Sequence, residues 1–183
     1  IRKKLKSDSL VVDATARLVA DQTGEGIHVA DVIIEAIFED LQAKQTLFRD
    51  VEKRARPDAI LATNTSSIPL KQIASCLSSP PRLVGLHFFN PVALMPLVEV
   101  VHTPTTLHGI VDTGAAFVRQ LGKLALPCRG LPGFLVNRIL APYMDEAFRL
   151  LQEGLTPEII DTAAVEFGMP VGPLELADSV GLD

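Results

Sequence analysis

Three side chains between Leu61 and Val101 are of the types that together can move a proton at an alcohol: the hydroxyl of Ser66, the imidazole of His87 and the carboxylate of Glu99. His87 follows the apolar run Leu83-Val84-Gly85-Leu86 and precedes Phe88-Phe89, while Glu99 is enclosed by Leu97, Val98, Val100 and Val101. Both therefore sit in strands that should be buried. An ionisable group is costly in such a place unless it is paired, which makes the two natural partners. A neutral imidazole accepts a proton at neutral pH, and a neighbouring carboxylate fixes its tautomer and stabilises the imidazolium that forms. Ser66 stands just past the short apolar run Ala59-Ile60-Leu61-Ala62, within the polar cluster Thr63 to Ser67. That order puts a hydroxyl at the C-terminal end of a strand.

Such groups need a sheet beneath them, and the apolar pattern predicts one. Strands are expected over 16–20 (ARLVA), 32–37 (VIIEAI), 59–63 and 83–88, with a turn carrying Gly24 and Gly26 after the first. Helical spacing runs from Leu41 to Arg54, with Leu41, Leu47, Phe48 and Val51 on one side and Gln42, Lys44, Gln45, Arg49 and Glu52 on the other. Asp40 is its expected cap. A short helix over 70–75, a helix over 106–121 with Ile110, Phe117, Val118 and Leu121 inward, and a strand over 123–127 complete the first part. Strand, helix, strand with short links predicts a parallel α/β sheet covered on both faces.

From Pro132 onward only helices are expected. The first, over 134–152, buries Val136, Leu140, Tyr143, Ala147 and Leu151 at three-to-four spacing, contains Pro142, and ends at Gly154 as its C′ residue. Thr156 and Pro157 supply the N-cap and first position of a second helix that ends at Gly168, and a third starts near Gly172. A boundary near Gly130-Leu131-Pro132-Gly133 divides an α/β portion, 1–130, from a helical portion, 131–183.

Composition narrows the function. The chain has 183 residues, 48% hydrophobic and 21% charged, which describes a globular protein rather than a disordered one. No apolar run approaches the roughly 20 residues needed to span a bilayer. A formal charge of −5 gives no general attraction to nucleic acid, so a phosphate-bearing partner must be met by local groups. Cys76 and Cys128 have no ligand spacing, no metal site is visible, and reduced thiols of an intracellular protein are expected. The start, IRKKLKSDS, is basic, lacks the apolar core of a secretion signal and does not begin with Met, so the chain reads as part of something longer.

The strings NTSS at 64–67, GLHFFNP at 85–91, LVEVV at 97–101, PGFLVNR at 132–138 and GPLELAD at 172–178 resemble, in order and spacing, the L-3-hydroxyacyl-CoA dehydrogenases of fatty-acid β-oxidation. The ending FGMPVGPLELADSVGLD is most similar to the dehydrogenase part of multifunctional β-oxidation proteins. The resemblance implies a Rossmann-like NAD-binding domain followed by an all-α C-terminal domain. It also implies oxidation of L-3-hydroxyacyl-CoA with NAD, with His87 as general base, Glu99 as its orienting carboxylate, and Ser66 and Asn137 holding the substrate oxygen. On the same grounds Glu39, Lys44, Asn64 and Asn90 would contact the cofactor. Taken without the resemblance, Glu39 and Lys44 also read as an exposed ion pair at a helix start, and Asn64 and Asn90 as turn residues.

The front of the chain departs from that family. Its first strand, Gly-rich turn and ribose-binding acid are absent, and Gly24-Glu25-Gly26 is followed by no third glycine. Without that loop a pyrophosphate lacks its backbone amides, so this stretch alone should bind NAD weakly. The helical domain also stops short. The expected partners are an acyl-CoA and a second copy or a larger multifunctional complex. Location would be cytoplasmic in a bacterium and mitochondrial or peroxisomal in a eukaryote. A non-catalytic structural relative and a short-chain 3-hydroxybutyryl-CoA dehydrogenase are the alternatives. Retention of the full set Ser66, His87, Glu99 and Asn137 weighs against the first.

Overall fold

A five-stranded sheet in the order β1-β2-β3-β4-β5 carries the chain in the computed structural model, which describes residues 8–180. β1 (Val32–Glu35), β2 (Ile60–Thr63) and β3 (Leu83–Phe88) are parallel neighbours, joined through α2 (Leu41–Arg54) and α3 (Leu70–Ala74). Asp40 caps α2 by accepting from the Ala43 N–H at 2.7 Å, which satisfies one of the amide groups a helix start leaves open. Phe48 and Val51 of α2 and Leu70 and Ile73 of α3 pack with Leu61, Leu83 and Val101 on one side of the sheet. On the other side Ile60, Ala62, Val84, Leu86, Val98 and Val100 meet Ala115 and Val118 of α4 (His108–Gln120). Cover on both sides explains why β2 and β3 read as unbroken apolar runs.

The sheet departs from the all-parallel expectation at β4 (Leu97–His102), which runs antiparallel to β3, while β5 (Leu124–Arg129) lies parallel to β4. The link from Phe89 to Pro96 is too short for the crossover that a parallel pair needs. One consequence is functional: the antiparallel register sets His87 directly opposite Glu99. The strand expected over 16–20 does not form. Asp8–Ala16 is helix α1, and Leu18 and Val19 beyond it are 67% and 84% exposed. Among the described residues no strand lies beside that segment to take its amides, so side-chain preference for strand is not enough. The expected polar segment 1–9 lies outside the described residues except for its end, which opens α1. Leu121, expected inward, is the residue that closes α4 and is 48% exposed.

The helices α5 (Val136–Gln152), α6 (Pro157–Phe167) and α7 (Pro173–Val180) follow. Pro142 lies inside α5. Its apolar stripe is half-covered, with Ala147 fully buried and Val136, Leu140, Tyr143 and Leu151 partly so. Gly154 follows α5 at φ 98°, the left-handed conformation that glycine adopts without a Cβ penalty. Thr156 occupies the N-cap of α6, but its side chain makes no capping bond. Asp161 clasps the start of α7 instead, accepting from Leu174 N at 2.8 Å and Glu175 N at 3.0 Å.

Phe48 is fully buried between α2 and the sheet. Phe48→Ala is expected to lower stability by about 3–5 kcal/mol, because both the transfer term and the cavity act in the same direction. Urea unfolding measures this, and a loss below about 1 kcal/mol would contradict the packing described.

Candidate active site

His87 and Glu99 meet across the β3–β4 pair with Nδ1 and Oε2 2.7 Å apart. Glu99 is completely buried and His87 retains 7% exposure. The other carboxylate oxygen, Oε1, accepts from the N–H groups of Leu135 and Val136 at 2.9 Å each. Those amides open α5, where a helix favours negative charge. Burial resists ionisation of Glu99 most strongly, but the bond to His87 and the two amides outweigh it and hold the carboxyl pKa below its usual value. An ionised Glu99 accepts Nδ1–H, which leaves Nε2 of the ring with its lone pair. Two aromatic rings frame the imidazole, Phe89 at 4.6 Å and Phe134 at 5.5 Å between centroids. Phe134 holds a positive φ of 45°, unusual for a bulky residue, immediately before the amides that Glu99 receives.

At the neighbouring strand end, the loop 64–68 is gathered by one carboxylate. Glu39 Oε1 accepts from Thr65 Oγ1, from Ser66 N at 3.0 Å, from Ser67 N at 3.1 Å, from Ser67 Oγ at 3.2 Å and from Ile68 N at 3.4 Å. The successive amides form a concave anion nest whose anion is the protein's own. Ser66 is thereby tied through its backbone, and its exposed hydroxyl is left without a protein partner among the described residues. Partial burial opposes ionisation of Glu39, yet Thr65, Ser67 and Lys44 together bring its pKa from 4.5 to about 2. The sign follows directly. A depressed carboxylate stabilises the fold above its unfolded value and loses that contribution as pH falls from about 4.5 towards about 2. A carboxyl-carbon NMR titration is expected to place the Glu39 midpoint well below the ordinary carboxylate value of 4.5. A midpoint near the ordinary value would contradict the nest.

Lys44 overturns its expected place on the solvent side of α2. It is 1% exposed, with Nζ 2.7 Å from Glu35 Oε1 and 3.1 Å from Glu39 Oε2. The ordinary exposed ion pair is thus excluded. Lys44 precedes Phe48 and Val51 at helical spacing, so the same stripe that buries those two buries it as well. Asn64 extends the β1–β2 ladder, donating its N–H to Glu35 O at 2.9 Å, and its side-chain oxygen accepts from Phe88 N at 2.8 Å. The turn reading of Asn64 is therefore too weak: it ties the ends of three strands together. Asn137 is exposed in the first turn of α5, beside the amides anchored on Glu99. Asn90 is exposed past the end of β3, and among the described residues no side-chain hydrogen bond joins it to the rest of the site. Sequence reasoning missed Glu35, Thr63, Thr65 and Phe134. A lone glutamate in the apolar run VIIEAI was the one available signal for the first.

Among the described residues no group of three metal-ligating side chains converges, and no helix is long and apolar enough to cross a membrane. Cys76 and Cys128 are free. Burial pushes both thiols up, Cys128 to about 11 with the Glu99 charge adding to it, so neither is a ready nucleophile.

His87 is thus fixed by a buried carboxylate near the C-terminal end of β3, and the start of α5 is anchored on the same carboxylate; a pair of this kind has the geometry to accept a proton. Residues 1–130 match the model of the 3-hydroxyacyl-CoA dehydrogenase NAD binding domain, and residues 133–183 that of the C-terminal domain. The chain belongs to the 3-hydroxyacyl-CoA dehydrogenase family. It is 49% identical over 158 residues to the fatty acid oxidation complex subunit alpha of Vibrio cholerae, covering 86% of this chain and 22% of that protein. It therefore spans about a fifth of the length of such relatives. Among solved structures, 3-hydroxybutyryl-CoA dehydrogenase PaaH1 from Ralstonia eutropha superposes with a TM-score of 0.92 at 36% identity, over 100% of this chain and 65% of that one. The 3-hydroxybutyryl-CoA dehydrogenase from Escherichia coli K12 gives 0.90 at 39% identity, over 98% and 39%. The dehydrogenase part of multifunctional enzyme 1 from C. elegans gives 0.71 at 28%, over 99% and 45%.

Proposed function

We propose that this chain carries the catalytic residues of an NAD-dependent L-3-hydroxyacyl-CoA dehydrogenase of fatty-acid oxidation. The observation that carries it is the His87–Glu99 pair: Nδ1 is held at 2.7 Å by a buried carboxylate, while Nε2 has no protein partner among the described residues. Ser66 and Asn137 hold the C3 oxygen by hydrogen bonds, which orients the alcohol before reaction and the ketone after it. The O–H bond on the C3 oxygen breaks and its proton passes to Nε2 of His87, the C3–H bond breaks with the hydrogen leaving with both electrons, and the former O–H pair forms the C=O bond. Glu99 balances the imidazolium that results. NAD, when bound, supplies the acceptor of that hydrogen and its electrons.

The residues at the strand ends fit the nicotinamide side of such a cofactor. The Asn64 amide nitrogen and the Ser66 hydroxyl have no protein partners among the described residues, and Ile37 and Phe38 beyond β1 expose apolar surface. Ligands of open α/β sheets sit at such carboxyl ends. Glu39 lies at the same end of the sheet with Lys44 behind it, and Asn90 follows the end of β3; both are proposed as further cofactor contacts. Gly24 and Gly26 do not cradle a pyrophosphate, because Asp21 takes their N–H groups at 2.8 and 2.6 Å. Assembly with other subunits of an oxidation complex is proposed from the names of the relatives.

The test is NADH formation by the full-length protein with L-3-hydroxybutyryl-CoA and longer homologues. Turnover with the L isomer and none with the D isomer is expected. A folded protein that forms no NADH with any chain length would sink the proposal.

A further inference from the structure

We propose that Phe134 is a positioning residue for the His87–Glu99 pair: its left-handed backbone aims the first amides of α5 at the carboxylate, and its ring braces the imidazole that the carboxylate holds. The effect on turnover rests on the dehydrogenase reading above; the effect on the pair does not.

Gly133 and Phe134 are consecutive residues of positive φ, 73° and 45°. Glycine takes that conformation freely, whereas in any other residue the Cβ crowds the following carbonyl oxygen. Phe134 is held in it from two directions. Its N–H donates to Leu131 O at 2.9 Å, and its side chain, 5% exposed, belongs to the core cluster that contains Leu70 and Val101. A bulky residue persists in such a backbone only where its surroundings over-determine it. What the turn supplies is direction. A helix start leaves its first N–H groups without carbonyl partners, and the two that follow Phe134, those of Leu135 and Val136, both end on Glu99 Oε1 at 2.9 Å. The Phe134 ring meanwhile stands edge-on to the imidazole of His87, with centroids 5.5 Å apart and planes at 67°. One residue therefore acts on both members of the pair.

Burial favours the neutral acid of Glu99, and the Leu135 and Val136 amides are among the groups that keep it ionised. A neutral Glu99 would donate its own proton to Nδ1 and leave the ring hydrogen on Nε2, a tautomer that cannot take a proton from an alcohol. His87 on β3 and Cys128 on β5 are the titratable side chains coupled to this charge, and the Cys128 thiol, pushed up to about 11, stays neutral.

Phe134→Gly and Phe134→Ala, made in the full-length protein, separate backbone from ring. Both remove the ring, and only glycine keeps the left-handed turn without strain. At an ordinary core position glycine is the worse replacement, so a merely structural role predicts that order. The reverse is expected here. Amide exchange at Leu135 and Val136 should be about tenfold slower in the glycine variant than in the alanine variant, with Leu61, Val84 and Val100 alike in both. Nitrogen-15 NMR should find the imidazole proton on Nδ1 with glycine and partly on Nε2 with alanine. The glycine variant should turn over about tenfold faster than the alanine variant, with KM for the acyl-CoA equal within about twofold. Alanine matching or exceeding glycine in amide protection or in the Nδ1–H tautomer would overturn the proposal. Both should fall at least about tenfold below the wild type, because an unbraced imidazole loses its alignment; a glycine variant as fast as the wild type would overturn the part given to the ring. Should neither variant fold, an ester in place of the Leu135–Val136 amide removes the Val136 N–H alone. A loss of kcat of about tenfold, with the imidazole proton moving to Nε2, is then expected, and an unchanged enzyme overturns the proposal. An inactive wild-type protein whose variants differ as expected in exchange and tautomer would defeat the dehydrogenase reading and leave the role of Phe134 standing.

Discussion

His87→Gln is expected to lower kcat by about 10²–10⁴-fold, the range over which a positioned general base acts, while the protein still folds. The fold survives because a glutamine amide can still donate towards Glu99 Oε2, so no bare carboxylate is stranded in the core. Chemistry does not survive, since an amide has no lone pair basic enough to take the alcohol proton. KM for the acyl-CoA should move little, because the lost interaction is made mainly as the proton transfers. Steady-state kinetics beside a thermal melt separate the two effects. Undiminished turnover would remove His87 from the mechanism.

Glu99→Gln is expected to slow turnover by a comparable factor, about 10²–10⁴-fold, for a different reason: it imposes the wrong tautomer. A single amide oxygen would go to the Leu135 and Val136 N–H groups, which now converge on Oε1. The NH₂ would then face His87 and donate to Nδ1. That forces the ring proton onto Nε2, where the substrate proton should go. Nitrogen-15 NMR of the imidazole reports the swap directly. A variant that keeps the Nδ1–H tautomer and full activity would refute the role given to this carboxylate.

What was legible in the sequence was the local part. His87 and Glu99 each announced themselves as ionisable groups inside apolar runs, and the same runs gave β2, β3 and β4 to within a residue or two. The direction of β4 was not read from them, because runs of alternating length carry no orientation; only the short connection between Phe89 and Pro96 does. The strand expected at 16–20 failed because a strand is a pairwise object, and among the described residues no strand pairs with Leu18 and Val19. Lys44 was misplaced because its charge was given more weight than its spacing from Phe48 and Val51. Glu39 was out of reach by any local rule. Its nest of amides lies 27 to 29 residues further along the chain, and only the parallel pairing of β1 with β2 brings the two together.

Glu99 joins the imidazole to the opening amides of α5, and these are contacts between the sheet and the helical lobe. A swing of that lobe away from the strands would strip the carboxylate of two donors and carry Asn137 off with them. On the proposed reading, the counter-charge of the imidazole is therefore held jointly by a strand and by the start of a helix from the other part of the chain.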